Sequence, residues 1–499
     1  MATVPLPEDP NLTQLRRQAR DLKRAFDSGE QEARAHVAEH LPTEPPAPGE
    51  PLLLTSAQLV VARHFQYSSW PRMKQFVDQV GELTRAPERI DELPDPADEF
   101  LRLACLTYSA QDGEARWQAA REVLAANPDV ARTSVWAAAA VADVDAVRDH
   151  VDRDPGLAAR RGGPFGWTPL FYLAYTRYDP EPPAGPVLAT AQLLLDVGAD
   201  PDDGYLWHGL PTPFTIITGC LGHGEQGSVN EPHNPNGPAL TRMLLEAGAD
   251  PNDGQGLYNR MFGADDSHLE LLFEFGLGEG DGGPWKARLG EALETPAEML
   301  DRQLAWAAVH DYPHRIALLV EHGVDLDRVG DDDRTAIQRA ALRGNTDIVQ
   351  QLLDAGAAPP TFSPRGLVIA AAMAGDRQEV DRIVAEHDPD VLDQAREARP
   401  DLVVQAAAAG RPDVVRLLVE LGFDVDSKGR ADIASRQQWQ TGLHEAVANH
   451  DIDMVRLLLF LGADPTIEDA RFDSTALGWA RHLGAPDIAE LLTPLVPDD

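Results

Sequence analysis

The stretch DVGADPDDG at residues 196–204 decides the fold, because it returns. It comes back as EAGADPNDG (246–254), EHGVDLDRVG (321–330), ELGFDVDSKG (420–429) and FLGADPTIED (460–469), each time after an apolar run that contains a pair of leucines. Helical runs punctuated by a recurring glycine loop make a solenoid, in which each unit hides its apolar face only against its neighbours. The expected fold is therefore all-α, a stack of helix pairs. Such an array works through an extended surface and needs no catalytic pocket.

Local chemistry supports the reading. A glycine just past a helix supplies the positive φ that the last turn needs; Gly198, Gly248, Gly323, Gly356, Gly422 and Gly462 stand there. Thr168, Thr212, Thr335, Thr441 and Thr475 precede apolar helical runs, where a hydroxyl can cap the helix. Pro169 and Pro213 follow two of them, at a position where proline loses nothing. Gly166, Thr168, Pro169 and Leu170, with Leu443, His444 and Leu477 further on, complete a turn that resembles the ankyrin-repeat family. Gly323 and Gly356 lie 33 residues apart, the length of that family's unit. The resemblance implies an ankyrin-repeat solenoid of ten or eleven units over about residues 100–499, some degenerate, and a histidine at 444 that bonds the neighbouring turn.

Residues 1–85 read as a separate small helical module. Leu12, Leu15, Ala19, Leu22 and Phe26 recur at helical spacing, Asn11 or Thr13 can cap that helix, and PTEPPAPGEP (42–51) is too proline-rich to be helical. The module resembles one found at the start of bacterial ankyrin-repeat proteins, through PNLTQLRRQARDLKRAF, TSAQLVVAR and SSWPRMKQFV. Residues 86–99 read as a linker. Within the array, insertions fall near 176–190, 219–241 and 276–296; the second helps stretch the Gly198–Gly248 spacing to 50 residues. Insertions in an array collect on one face, often the binding face.

The 499 residues carry a net charge of −38, which repels nucleic acid and anionic membranes. No apolar run is long enough to cross a bilayer, and two distant cysteines, Cys105 and Cys220, make no disulfide framework. These features point to a cytoplasmic monomer whose partner is another protein: a basic one, or a neutral one held by shape.

Reactive side chains gather in the irregular repeats 205–290, where His208, Cys220, His223, Glu225, His233, Tyr258, Asn259, Arg260 and His268 fall close in sequence. Cys220 and His223 have C-x-x-H spacing, yet the rest fits no zinc-finger, ribbon or H-E-x-x-H pattern. There is no G-x-S-x-G elbow and no P-loop, so no catalytic residue, cofactor or metal ligand is expected. A binding surface of Trp207, His208, His223, Glu225, His233, Tyr258, Asn259, Arg260, Trp285 and Trp439 is expected instead, with the three tryptophans as anchors beside insertions. The function expected first is a non-catalytic protein-binding scaffold or adaptor. The alternative is a small-molecule binder or enzyme with a polar pocket in residues 205–290.

Overall fold

The computed structural model describes residues 10–41, 45–47, 49–65, 67, 69–330, 332–388, 390–430 and 439–496. Its contacts divide the chain into two compact units, residues 1–300 and 301–499.

The second unit is the more regular. Helices Ala336–Arg343 and Thr346–Asp354 form one pair; Pro364–Ala374 and Arg377–Glu386, Leu402–Ala408 and Pro412–Glu420, Gly442–Ala448 and Ile452–Phe460, and Ala476–His482 and Pro486–Leu492 form the next. From Pro364 onward their apolar faces merge into one continuous core, which includes Val380, Val403, Leu418, Val455 and Leu492, and Leu342 of the first pair joins it. Burial of this kind yields ~25 cal/mol per Å² of apolar surface and holds each unit on the next.

One loop closes the helix pairs. Gly462 N–H donates to Leu459 O and Ala463 N–H to Leu458 O (3.1 and 3.0 Å), and the same double bond recurs at Gly198, Gly248, Gly323, Gly356 and Gly422. This is the left-handed helix stop that glycine permits, with φ of +99° at Gly462. The aspartate two residues on accepts from the backbone of the residue two further: Asp464 from Thr466, Asp424 from Asp426 and Asp250 from Asn252. A second aspartate reaches the next loop. Asp426 Oδ1 accepts from Asp464 N–H (2.9 Å), Asp327 Oδ1 from Ala358 N–H (2.8 Å) and Asp202 Oδ1 from Asp250 N–H (2.8 Å). The G-x-D-x-D motif is therefore a glycine stop, a self-bonded turn and a rung to the following repeat.

The expected threonine caps form at Thr335 and Thr475, whose hydroxyls accept from Gln338 and Gly478. Thr168 differs: its hydroxyl donates to the buried Asp203 (2.8 Å). His444 bonds the next turn, with Nε2 3.1 Å from Ser474 O.

The first unit opens with helices Leu12–Asp27, Gln31–His40, Leu54–His64 and Trp70–Leu83. Asn11 caps the first of them, through Thr13 N–H (2.8 Å). The segment expected as a linker does not run free. Strand β1 (Thr84–Arg85) pairs in parallel with β2 (Gly204–Trp207), which pairs antiparallel with β3 (Pro213–Thr215). Helix Pro96–Ala104 begins inside 86–99 and buries Phe100 and Leu101. Behind the sheet lies an aromatic core of Trp167, Phe171, Tyr172, Tyr175 and Tyr205, drawn chiefly from the run WTPLFYLAY. No helix among the described residues is long and apolar enough to cross a membrane.

Candidate functional site: a cleft in the irregular repeats

Three helices, Gly237–Glu246, Gly254–Met261 and Ser267–Glu274, and the loop inserted before them enclose a half-open cleft of about 680 Å³. Arg177 shapes the loop. It is almost fully buried, and its guanidinium donates to four carbonyls: Ala174 and Thr176 on its own unit, and Gly219 and Pro232 at either end of the insertion. Asn234 adds a second tie, with Nδ2 donating to Ala174 O (3.1 Å). Asn345 and Asn449 make the same bond back to the preceding helix in the regular repeats. The insertion thus keeps the register of the array while bulging from it.

The cleft is lined by His223, His233, Arg242, Arg260, Asp265 and Glu274, with apolar surface between them. Arg260 is 7% exposed and pairs with Asp265. Its Nη1 lies 3.4 Å from His223 Nε2. A guanidinium only donates, so this nitrogen accepts and the imidazole is neutral. Burial, then the Arg260 charge, pushes His223 down to about 4. His233, with its ring 5.9 Å from that of His223, is lowered by the same two causes. Arg242 pairs with Glu274 at 2.7 Å across the cleft's outer edge. Behind the loop, Glu231 is 2% exposed and accepts from Gln226 N–H (3.1 Å). Burial, reinforced by the charges of Asp112 and Glu225, pushes it up to about 7.

Of the residues singled out in the sequence, His223, His233 and Arg260 meet in this cleft. Glu225 and Tyr258 bond each other (2.6 Å) and tie the insertion to helix Gly254–Met261. Asn259 is buried and accepts from Gln255 (2.8 Å). Trp207 and His208 lie on the sheet: the Trp207 indole donates to Thr107 O (3.1 Å) and His208 sits 2.6 Å from Glu88. Trp285 is 5% exposed and its indole donates to Asp202 O (2.9 Å), so it fills a gap between loops and presents no anchor. Trp439, in the second unit, is half-buried with the Arg430 and Arg471 guanidinium groups 4.0 and 5.2 Å from its ring.

Cys220 lines the cleft from below. Burial pushes its thiol up to about 12, so it is no thiolate. Sequence reading passed over Arg177, hidden in a proline-rich finger, and a trio of histidines, His36, His40 and His64, that meets in the N-terminal module. The i, i+4 spacing of the first two was visible; the third stands one helix away.

The model described as "Ankyrin repeats (3 copies)" matches residues 367–469, and that described as "Ankyrin repeats (many copies)" matches 304–353. The chain carries ankyrin repeats. A relative named "Putative ankyrin repeat-containing protein", from Treponema pallidum (strain Nichols), is 31% identical over 154 residues, 30% of this chain. The chain spans about half (48%) of that relative's length. Ankyrin repeats generally mediate protein–protein interaction. The cleft lies outside the two matched segments.

Proposed function

We propose that this ankyrin-repeat chain is a non-catalytic scaffold that captures another protein, with the cleft of residues 219–274 as its point of grip. The observation that carries this reading is the cleft itself. It is half-open, sits where loops are inserted into the array, and offers both apolar surface and oriented donors and acceptors. The electrostatics of the cleft speak against catalysis there. A general base works best with a pKa near the working pH, whereas His223 sits at about 4 and Cys220 at about 12. Glu231, at about 7, is poised in value but sealed from a substrate by burial.

The charge of −38 favours a basic partner, steered in from a distance and gripped by shape. The test is a photo-crosslinker at Ala239, an exposed residue on the cleft wall. A discrete protein adduct is expected, lost in Arg260→Glu and formed more slowly at high salt. An adduct indifferent to Arg260, or a small molecule retained in the cleft by the native protein, would replace this reading with the binder or enzyme alternative.

A further inference from the structure

Far from the cleft in sequence, two short helices of the N-terminal module bring three imidazoles together. His36 and His40 are one turn apart on helix Gln31–His40, and His64 is the last residue of helix Leu54–His64. The ring centroids are 4.5, 4.9 and 5.5 Å apart. One nitrogen from each lies within 4.8 Å of the others, the one such grouping of three His, Cys, Asp or Glu among the described residues. We propose that His36, His40 and His64 form a binding site for a divalent transition metal, Zn²⁺ by its ligand set, that clamps these two helices together.

Five features of the site suit a cation. Tetrahedral Zn²⁺ holds imidazole nitrogens about 3.3 Å apart, given bonds of ~2.0–2.1 Å, so side-chain rotations suffice to close the trio. His40 Nδ1 lies 3.1 Å from the His36 carbonyl. Donating there fixes the tautomer and leaves Nε2 for the metal, the arrangement in which a backbone carbonyl orients a ligating histidine. His40 and His64 each end a helix, where the backbone carbonyls favour positive charge. The Glu39 carboxylate, 3.8 Å from His40 Nδ1, adds a negative charge beside the site. All three remain partly open to solvent, which leaves a fourth position for water.

The clamp has structural work to do. Neither helix has a side-chain cap at its start, and Gln31–His40 is only 10 residues long. Helices this short are marginal alone, and metal binding adds directly to folding stability.

The experiment uses the full chain, stripped with a chelator and titrated with Zn²⁺ against a chromophoric competitor, with Co²⁺ as a spectroscopic substitute. One tight equivalent is expected, with the intense visible bands of tetrahedral Co²⁺ and a Zn²⁺-dependent rise in Tm. His36→Gln and His64→Gln should each weaken binding more than ~10-fold, the lower bound for disturbing even an outer-shell partner. They should also abolish the Tm rise, whereas exposed His482→Gln changes neither. Zn²⁺ held no tighter than by free imidazole, an octahedral Co²⁺ spectrum, or a tight site that survives both substitutions overturns the proposal. The wild-type spectrum decides the matter even if a variant misfolds.

Discussion

His223 and Glu231 are neighbours that titrate against each other in effect. His223 is depressed to about 4. Between that value and its unfolded value near 6.5 the unfolded chain binds the extra proton, so this group's contribution to stability rises with pH across the window. Glu231 is raised to about 7. Between its unfolded value near 4.5 and 7 the folded chain binds the extra proton, so its contribution falls as pH rises. Glu231→Gln should therefore raise Tm at pH 8 and have little effect by pH 5; a shift of equal size at both would refute the assignment. NMR titration of His223 should find a neutral ring down to about pH 5, and Arg260→Ala should move its midpoint upward by removing the adjacent charge. The residue types in this cleft were legible in the sequence because they are polar and crowd into one irregular stretch. Arg177 was not, since nothing in TRYDPE announces that a guanidinium will be buried against four carbonyls, and no spacing rule brings His64 to His36.

The loop aspartates are where pattern and physics agree best. Glycine stop, self-bonded turn and inter-repeat rung all follow from G-x-D-x-D, and the helices on either side fall where the apolar spacing puts them. The sheet did not announce itself. GYLWHGLPTPFT offers Thr212 and Pro213 as a helix cap and first turn when repeats set the frame; instead β2 and β3 pair with each other within it, and β1, far upstream, adds the third strand. Asp253 joins the two kinds of element. It caps helix Gly254–Met261 through Gly256 N–H (2.6 Å) and accepts from the buried hydroxyls of Thr215, at the end of β3, and Thr218, in the helix Ile216–Leu221 that follows. Asp253→Ala strips three donors of their acceptor, and a loss of about 2–4 kcal/mol is expected, read by chemical denaturation of the first unit. Asp426→Ala, which removes a single exposed rung, should cost about 1 kcal/mol or less.

At the scale of the chain, the repeat frame and the N-terminal helices were readable, while the division of contacts near residue 300 was not. It falls within a helix, Pro296–His310, where no change in composition marks it. The break expected at 86–99 is instead occupied by structure, because Glu88 is engaged by His208 and helix Pro96–Ala104 begins there, while β1 just before it pairs with β2. Deleting residues 1–85 should therefore expose the edge of β2 and the surface beneath it. Lower solubility and a lower Tm are expected, and a monodisperse truncation of unchanged stability would count against the assignment. Added salt should raise the Tm of the intact chain modestly by screening its self-repulsion.

The pairing of β1 with β2 has a consequence for how the chain reaches its fold. A repeat array can assemble as it leaves the ribosome, each unit docking on the last. Here Glu88 waits for His208, a partner 120 residues downstream. The ribosome must deliver the first irregular repeat before the opening module can be locked, so the first unit pays the loop-closure entropy of a long-range contact. Until then the strand β1 has no edge to pair with.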